Sequence, residues 1–354
     1  MFDIYYLIFI LSVFTFCFGI ACCNPNNIYF KTFILSIFVI TVAFSSLRSL
    51  SVGTDTLNYL HIFNSVQSAT LVLYTKTVES SFYLLMVLVK SFGGDFSILL
   101  LLSSSLIIYL YFKTIMNMSN NISLSIFVFV AIFYLFHFNG LRQAIAMSIV
   151  FFTFHYIARN KKYSSFFFIL VAATFHKSAL IFIPIIPLLS YKGKYRNYII
   201  VIFSLLVTLC ATSLIEVAAD FDARYEHYTV ESAGGGGGTT LFFLILGLFL
   251  FLFRKKAVSE FRFYDELLTI YFVGAFISIA SVLLSLDPSG PLRLNQYFLQ
   301  AAVLMVPMVV GSFSDIRTRY FLTLFIVAFT GVYFLAFSSN LANLSPYRLN
   351  ESLF

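Results

Sequence analysis

The sequence predicts an all-α fold, a bundle of membrane-crossing helices, and two observations carry that prediction. Hydrophobic residues make up 60% of the 354 and charged residues 10%, against about 45–50% and about 25% in an ordinary soluble domain. Apolar runs of spanning length also recur along the whole chain. So few charges cannot cover the apolar surface of a soluble fold, and the excess must face lipid. The net charge of +7 does not point to nucleic acid, because the basic residues fall in short clusters between apolar runs. That is the pattern of the positive-inside rule. Cys17, Cys22, Cys23 and Cys210 form no CxxC pair, which indicates neither a metal site nor a disulfide framework.

A spanning helix needs about 17–25 mostly apolar residues. The first such run, Ile4–Ala21, follows Asp3 without a basic n-region and reads as a membrane helix rather than a secretory signal. Further spans are expected at Ile28–Leu47, Phe96–Phe112, Ile122–Phe138, Arg142–Ala158, Asn197–Ile215, Leu267–Leu286, Leu292–Gly311 and Tyr320–Ser338. Shorter runs at Tyr163–Phe175, Lys177–Ser190 and Thr240–Phe253 cross if their polar ends extend them. Glu79–Lys90 is too short to span and reads as re-entrant or interfacial. The expectation is a single integral membrane domain over residues 1–354, with about 11–13 helices counting the short ones.

Basic residues set the orientation. Clusters stand at Arg159–Lys162, at Lys192, Lys194 and Arg196, at Arg254–Lys256, and at Arg317 and Arg319, with Lys113 in a further connection. If Glu79–Lys90 does not cross, all five share one side, the cytoplasm. Residues 48–78 and 216–239 are then exterior loops. The second carries five carboxylates and one arginine, Arg224. Its Gly234–Gly238 run reads as a flexible segment, a simple linker or a functional lid.

The expected outward helix ends hold many polar groups, and charge at membrane depth normally faces a partner or a cavity. Arg142 and Gln143 open one span, after His137 and Asn139. Arg293, Gln296 and Gln300 are spaced i, i+3 and i+7, one helical face. Ser278, Ser281 and Ser285 make a similar stripe, for which helix packing is the ordinary explanation. Snorkelling at a helix end is the corresponding plain reading of the two arginines. Arg48, Asp55, Asn58 and Tyr59 follow the second span, with Gly53 allowing a turn and Asp55 also suited to an N-cap. His176-Lys177-Ser178 forms another outward corner. Asp220-Phe221-Asp222 spells DxD, a pattern too short to carry a nucleotide-sugar site, and no HExxH, P-loop or GxSxG pattern is present.

Arginine at membrane depth suits a lipid phosphate, since the guanidinium binds phosphate oxygens in pairs and stays charged. Without ATP machinery, the energy of a reaction must reside in the substrate. A sugar linked to a lipid pyrophosphate meets both conditions. Arginine would stabilise the leaving pyrophosphate, and a histidine or aspartate would take the proton of an attacking hydroxyl.

The segment R-S-L-S-V-G-T-D-T-L-N-Y, then Glu79, N-G-L-R-Q-A-I-A-M, F-H-K-S-A-L at Phe175–Leu180 and S-P-Y-R at Ser345–Arg348 together resemble the EpsG family of bacterial membrane proteins. The matches run in order over most of the chain. The resemblance implies kinship with Wzy-type polymerases, which join lipid-linked repeat units into capsule, exopolysaccharide or O-antigen. It implies an undecaprenyl-pyrophosphate-linked oligosaccharide as substrate and a fold akin to membrane glycosyltransferases with polyprenyl donors. It further implies a bacterial cytoplasmic membrane location, with a flippase and a chain-length regulator as pathway partners.

The expected site has His176 as first choice of general base and Asp55 as second. Arg142, Arg293 and Arg48 are expected on the pyrophosphate, and Gln143, Tyr59, Glu79, Gln296 and Arg224 on the rest of the substrate. No metal, cofactor or nucleic acid is called for. Rival readings are a flippase for the same lipid-linked glycan, a membrane acyltransferase that decorates the polymer, and a structural assembly subunit. His155, towards the inner side, lacks the partner an acyltransferase site would want.

Overall fold

The computed structural model describes residues 28–66, 78–191, 193, 195–221, 236–285, 291–340 and 344–350. Ile4–Ala21 and most of the Glu216–Thr239 loop, including Arg224, lie outside them. Among the described residues every regular element is helical, and five helices are long and apolar enough to cross a membrane. An α-helix satisfies its backbone internally, which is what a hydrocarbon environment demands. The contacts divide the chain into two compact units, Met1–Leu180 with Ile316–Phe354, and Ile181–Asp315.

In the first unit, α1 (Ile28–Ser46) leads to a short α2 (Thr56–Ser65). After them come α3 (Ser80–Ser91), α4 (Phe96–Met118) and α5 (Ile122–Val128). Helix α5 continues through a π turn (Phe129–Phe133) and a 3-10 turn (Tyr134–Phe138), so the single span expected at Ile122–Phe138 changes pitch twice. Helices α6 (Leu141–Ile157) and α7 (Lys162–Phe175) form the next hairpin. Asp95 caps α4 by accepting from Ile98 N at 3.1 Å, and Asn121 caps α5 by accepting from Leu124 N at 3.0 Å.

Aromatic contacts fix the directions. Tyr111 of α4 stacks on Phe129, with centroids 4.2 Å apart, and meets Phe151 of α6 at 4.9 Å. Helices α4 and α6 therefore run the same way, with α5 antiparallel between them. Their first residues, Phe96 and Leu141, share one end of the unit. Phe152 and Tyr156 pack on Phe168, so α7 climbs back to that end. Helix α1 arrives there too, since Tyr134 Oη donates to Thr41 O at 2.7 Å and the Arg48 guanidinium lies 4.8 Å from the Phe138 ring.

Helix α3 starts beside α6 and α7 and leads into the start of α4. Lys90, near its end, donates to Asn64 O and Val66 O at the end of α2, at 3.1 and 2.7 Å. Phe63 of α2 meets Phe96 at 6.0 Å. At about 1.5 Å per residue, α2 and α3 are about 15 and 18 Å long. They stay within one end of the unit, as expected for a segment that does not cross. Lys113 and the Arg159–Lys162 turn lie at the other end.

In the second unit, α8 (Ile185–Ser190), α9 (Arg196–Phe221), α10 (Gly237–Leu252), α11 (Arg254–Glu260) and α12 (Tyr264–Leu283) are followed by a 3-10 turn (Pro291–Asn295), α13 (Gln296–Leu299) and α14 (Ala302–Gly311). Two expected spans change pitch along their length. Lys177–Ser190 becomes a 3-10 turn (Lys177–Phe182) and the short α8, interrupted where Pro184 precedes the helix. Leu292–Gly311 opens with a 3-10 turn and runs on through α13 and α14 as one apolar helical span from Arg293 to Gly311. The turn packs against α12 so closely that a Cβ on Gly274 would stand 2.9 Å from Asn295 O. The serine stripe serves that packing: Ser278 Oγ accepts from Asn295 Nδ2 at 2.7 Å.

Helix α15 (Ile316–Asn340) returns to the first unit. The segment after it reaches the end where α1 finishes. Ser49 N donates to Arg348 O at 2.8 Å, Asn350 N to Leu47 O at 2.9 Å and Tyr347 Oη to Phe44 O at 2.6 Å. Arg317 and Arg319, one helix length away, are thus placed towards the other end.

Candidate functional site

The N-terminal ends of α3 and α6 and the C-terminal end of α7 bring Glu79, Arg142 and His176 together. Glu79 precedes α3 with extended backbone. Its Oε2 accepts from Arg142 Nη1 at 2.6 Å and its Oε1 from His176 Nδ1 at 2.7 Å. One carboxylate thus joins three segments separated by 63 and 97 residues. The carboxylate is more enclosed than its partners: side-chain exposure is 11% for Glu79, 21% for Arg142 and 29% for His176. Burial by itself raises the Glu79 pKa, but the His176 hydrogen bond and the Arg142 charge outweigh it and hold it at about 2.

An ionised carboxylate only accepts, so His176 Nδ1 carries a hydrogen and, in the neutral ring, Nε2 keeps the lone pair. Arg142 is held by the Glu79 carboxylate and by a hydrogen bond to the Tyr59 hydroxyl. Its Nε is buried without a hydrogen-bond acceptor, and its guanidinium lies 5.8 Å from the centre of the Tyr59 ring. Tyr59 is 4% exposed and packs edge-on against Phe82 at 5.7 Å. Burial pushes the Tyr59 hydroxyl above its ordinary pKa, Arg142 pulls it down, and the Asp55 charge adds to the rise. Ser81 Oγ donates to Thr174 Oγ1 at 2.7 Å and ties α3 to α7 beside the carboxylate.

The segment after α1 packs on the start of α6. Thr54 N donates to Asn139 Oδ1 at 2.7 Å. Gly53 has φ +90°, and a Cβ there would stand 2.6 Å from Phe138 O. This close approach and the left-handed backbone are what a glycine permits. Asp55 is half-buried at the N-cap position of α2, but its side chain makes no capping bond and instead accepts from Thr54 Oγ1 at 3.1 Å.

Not every expected ligand lies open to a substrate. Arg48 is 1% exposed, donates to Ser45 O and faces the Phe138 ring. It organises the join between α1 and the C-terminal segment. Gln143 is also buried, at 6%. Arg293 and Gln296 are half-buried in the second unit, and Gln300 is fully buried, donating to Tyr297 O at 3.0 Å. Asn139 was not among the expected site residues. Its signal was the neighbouring N-G-L-R-Q motif, but its role in holding Thr54 appears only when residues 85 apart meet.

A cavity of about 290 Å³ in the second unit contains none of the expected site residues. Ile200, Val201, Phe251, Leu268, Phe272 and Phe276 form its walls, with the Arg254–Asp265 ion pair and Thr269.

No curated protein and no solved structure matches the chain. The family model of the EpsG family matches residues 31–349, a range that takes in both units and every segment meeting at Glu79, and the chain belongs to the EpsG family, a family of polysaccharide biosynthesis.

Proposed function

We propose that this protein polymerises undecaprenyl-pyrophosphate-linked oligosaccharide repeat units into a surface polysaccharide, at the outer face of a bacterial cytoplasmic membrane. The observation that carries the proposal is the single Glu79 carboxylate shared by His176 and Arg142. It supplies an oriented base and an oriented cation side by side, the pair that glycosyl transfer from a pyrophosphate requires.

In this reading a hydroxyl of the incoming repeat unit attacks the anomeric carbon of the growing chain. His176 Nε2 takes the hydroxyl proton, and Glu79 stabilises the resulting imidazolium. The new glycosidic bond forms as the bond from the anomeric carbon to the pyrophosphate oxygen breaks. Undecaprenyl pyrophosphate leaves as an anion, and the Arg142 guanidinium meets its developing charge. Tyr59 and Asp55 border the acceptor side. The outward placement is supported by Lys113 and the Arg159–Lys162 turn lying at the opposite end from this site.

The test is a strain lacking the protein and complemented with Arg142→Ala or Arg142→Lys, with membrane levels of protein matched. Single repeat units on the lipid at the outer face are expected in place of long polymer. Full-length polymer with either variant would overturn the role of Arg142. Lipid-linked units retained at the inner face would favour a flippase.

A further inference from the structure

The cavity of about 290 Å³ in the second unit has a charge pattern that glycosyl transfer does not use. It lies between the start of α9, the end of α10 and the first turns of α12, and all of its charge stands at one end. There Arg254 Nε and Nη2 donate to Asp265 Oδ1 and Oδ2 at 2.7 and 2.9 Å. From Asp265 the lining runs along α12 as far as Phe276, about 16 Å of helix at about 1.5 Å per residue. Of its walls, Ile200 and Leu268 are buried while Val201 and Phe251 are exposed, so the groove opens on the surface. The charged end belongs to the Arg254–Lys256 cluster, the cytoplasmic end by the positive-inside rule. Tyr198, exposed on the first turn of α9, adds an interfacial ring there.

A groove that is polar at the interface and apolar below it is complementary to a lipid with its head group outermost. Its volume is at the lower edge of the range for ligand sites, about 300–1,000 Å³, which suits one hydrocarbon chain and not a partner helix. The ion pair selects the head group. It is accessible, with side-chain exposure of 43% for Arg254 and 28% for Asp265. Arg254 spends one edge on Asp265, and its guanidinium carries further N–H donors suited to a phosphate oxygen. A carboxylate can likewise accept beyond the two bonds from Arg254. A purely anionic head group would bring its phosphate against Asp265 with nothing to offset the repulsion. A head group that carries both a phosphate and a primary ammonium answers both charges of the pair.

We infer that this groove binds a zwitterionic phospholipid with a primary ammonium, in the cytoplasmic leaflet. The phosphate accepts from Arg254, the ammonium donates to Asp265, and one acyl chain lies along α12 over Ile200 and Leu268. The site shares no residue with the Glu79 cluster and does not depend on the polymerase reading.

Native mass spectrometry of the purified full chain tests the inference, with titrations of phosphatidylethanolamine, phosphatidylcholine and phosphatidylglycerol of matched acyl chains. Phosphatidylcholine keeps the phosphate but has no N–H on its ammonium, and phosphatidylglycerol lacks the ammonium. Loss of one charge-assisted hydrogen bond in a half-exposed site should make each of these two bind about fivefold more weakly than phosphatidylethanolamine. Asp265→Asn should abolish that preference. Val201→Phe, which fills the groove without altering the ion pair, should weaken all three lipids alike. Lys255→Gln, an exposed neighbour outside the groove, should change none of them. Circular dichroism checks that each variant is folded. Equal retention of the three lipids by the unmodified protein would overturn the proposal, as would unchanged retention in Val201→Phe or a preference that survives Asp265→Asn. Tightest retention of phosphatidylglycerol, weakened by Lys255→Gln, would show an anionic-lipid surface and overturn the zwitterion assignment.

Discussion

Arg142 Nη1 lies 2.6 Å from Glu79 Oε2, while the other oxygen of the same carboxylate holds His176 at 2.7 Å. The arginine is thereby fixed at a helix end by one carboxylate and the Tyr59 hydroxyl, while its buried Nε has no acceptor. A guanidinium paired with carboxylates on both edges could not also meet a phosphate, and an unpaired one at this depth would be costly.

Glu79→Gln keeps the size of the side chain and removes the charge. Arg142 then loses its counter-ion in a largely enclosed site. The expected loss is about 2–3 kcal/mol, somewhat below that for breaking a fully buried pair. Thermal unfolding in detergent measures it, and polymer should be absent at normal protein levels.

Arg142→Lys retains the positive charge but not the planar fork. It should remain folded and lose about 10²–10³-fold in polymerisation rate, as when one donor to a developing oxyanion is removed. Lipid-linked substrate with purified protein gives the rate, and an unchanged rate would show that the fork is not used.

His176→Gln preserves hydrogen bonding to Glu79 but offers no base. A fall of about 10²–10⁴-fold in rate is expected with little change in thermal stability. Comparable activity in Asp55→Asn would keep Asp55 out of the base role, whereas a loss confined to Asp55→Asn would transfer that role to it.

Gly53→Ala would place a Cβ 2.6 Å from Phe138 O on a backbone with φ +90°. The strain should cost about 1–3 kcal/mol and move Thr54 off Asn139. Reduced thermal stability with reduced polymerisation is the expected pair of outcomes.

Acid should weaken the first unit through Glu79. Its carboxyl titrates at about 2 in the fold against an ordinary 4.5, so the folded state holds its proton less tightly. The stabilisation, about 3 kcal/mol, is complete above pH 4.5 and is lost as pH falls towards 2. Unfolding measured across that window should show the loss, and Glu79→Gln should flatten the slope.

The sequence by itself determined the class of fold, because hydropathy is summed residue by residue and 10% charge leaves no soluble alternative. It also separated the basic clusters from the polar corners, and Glu79, Arg142 and His176 were each recognisable as polar groups in apolar surroundings. Only the tertiary structure decided that Glu79 is the residue joining the other two. An ion pair across 63 or 97 positions leaves no periodicity in the chain, and a glutamate before a short helix looks the same whether it caps, faces water or bridges. Arg48 shows the converse. Its sequence suited a phosphate ligand, but the C-terminal segment pairs with its backbone and encloses it against Phe138. Burial depends on what the far end of the chain brings to the site, and local sequence carries no record of that.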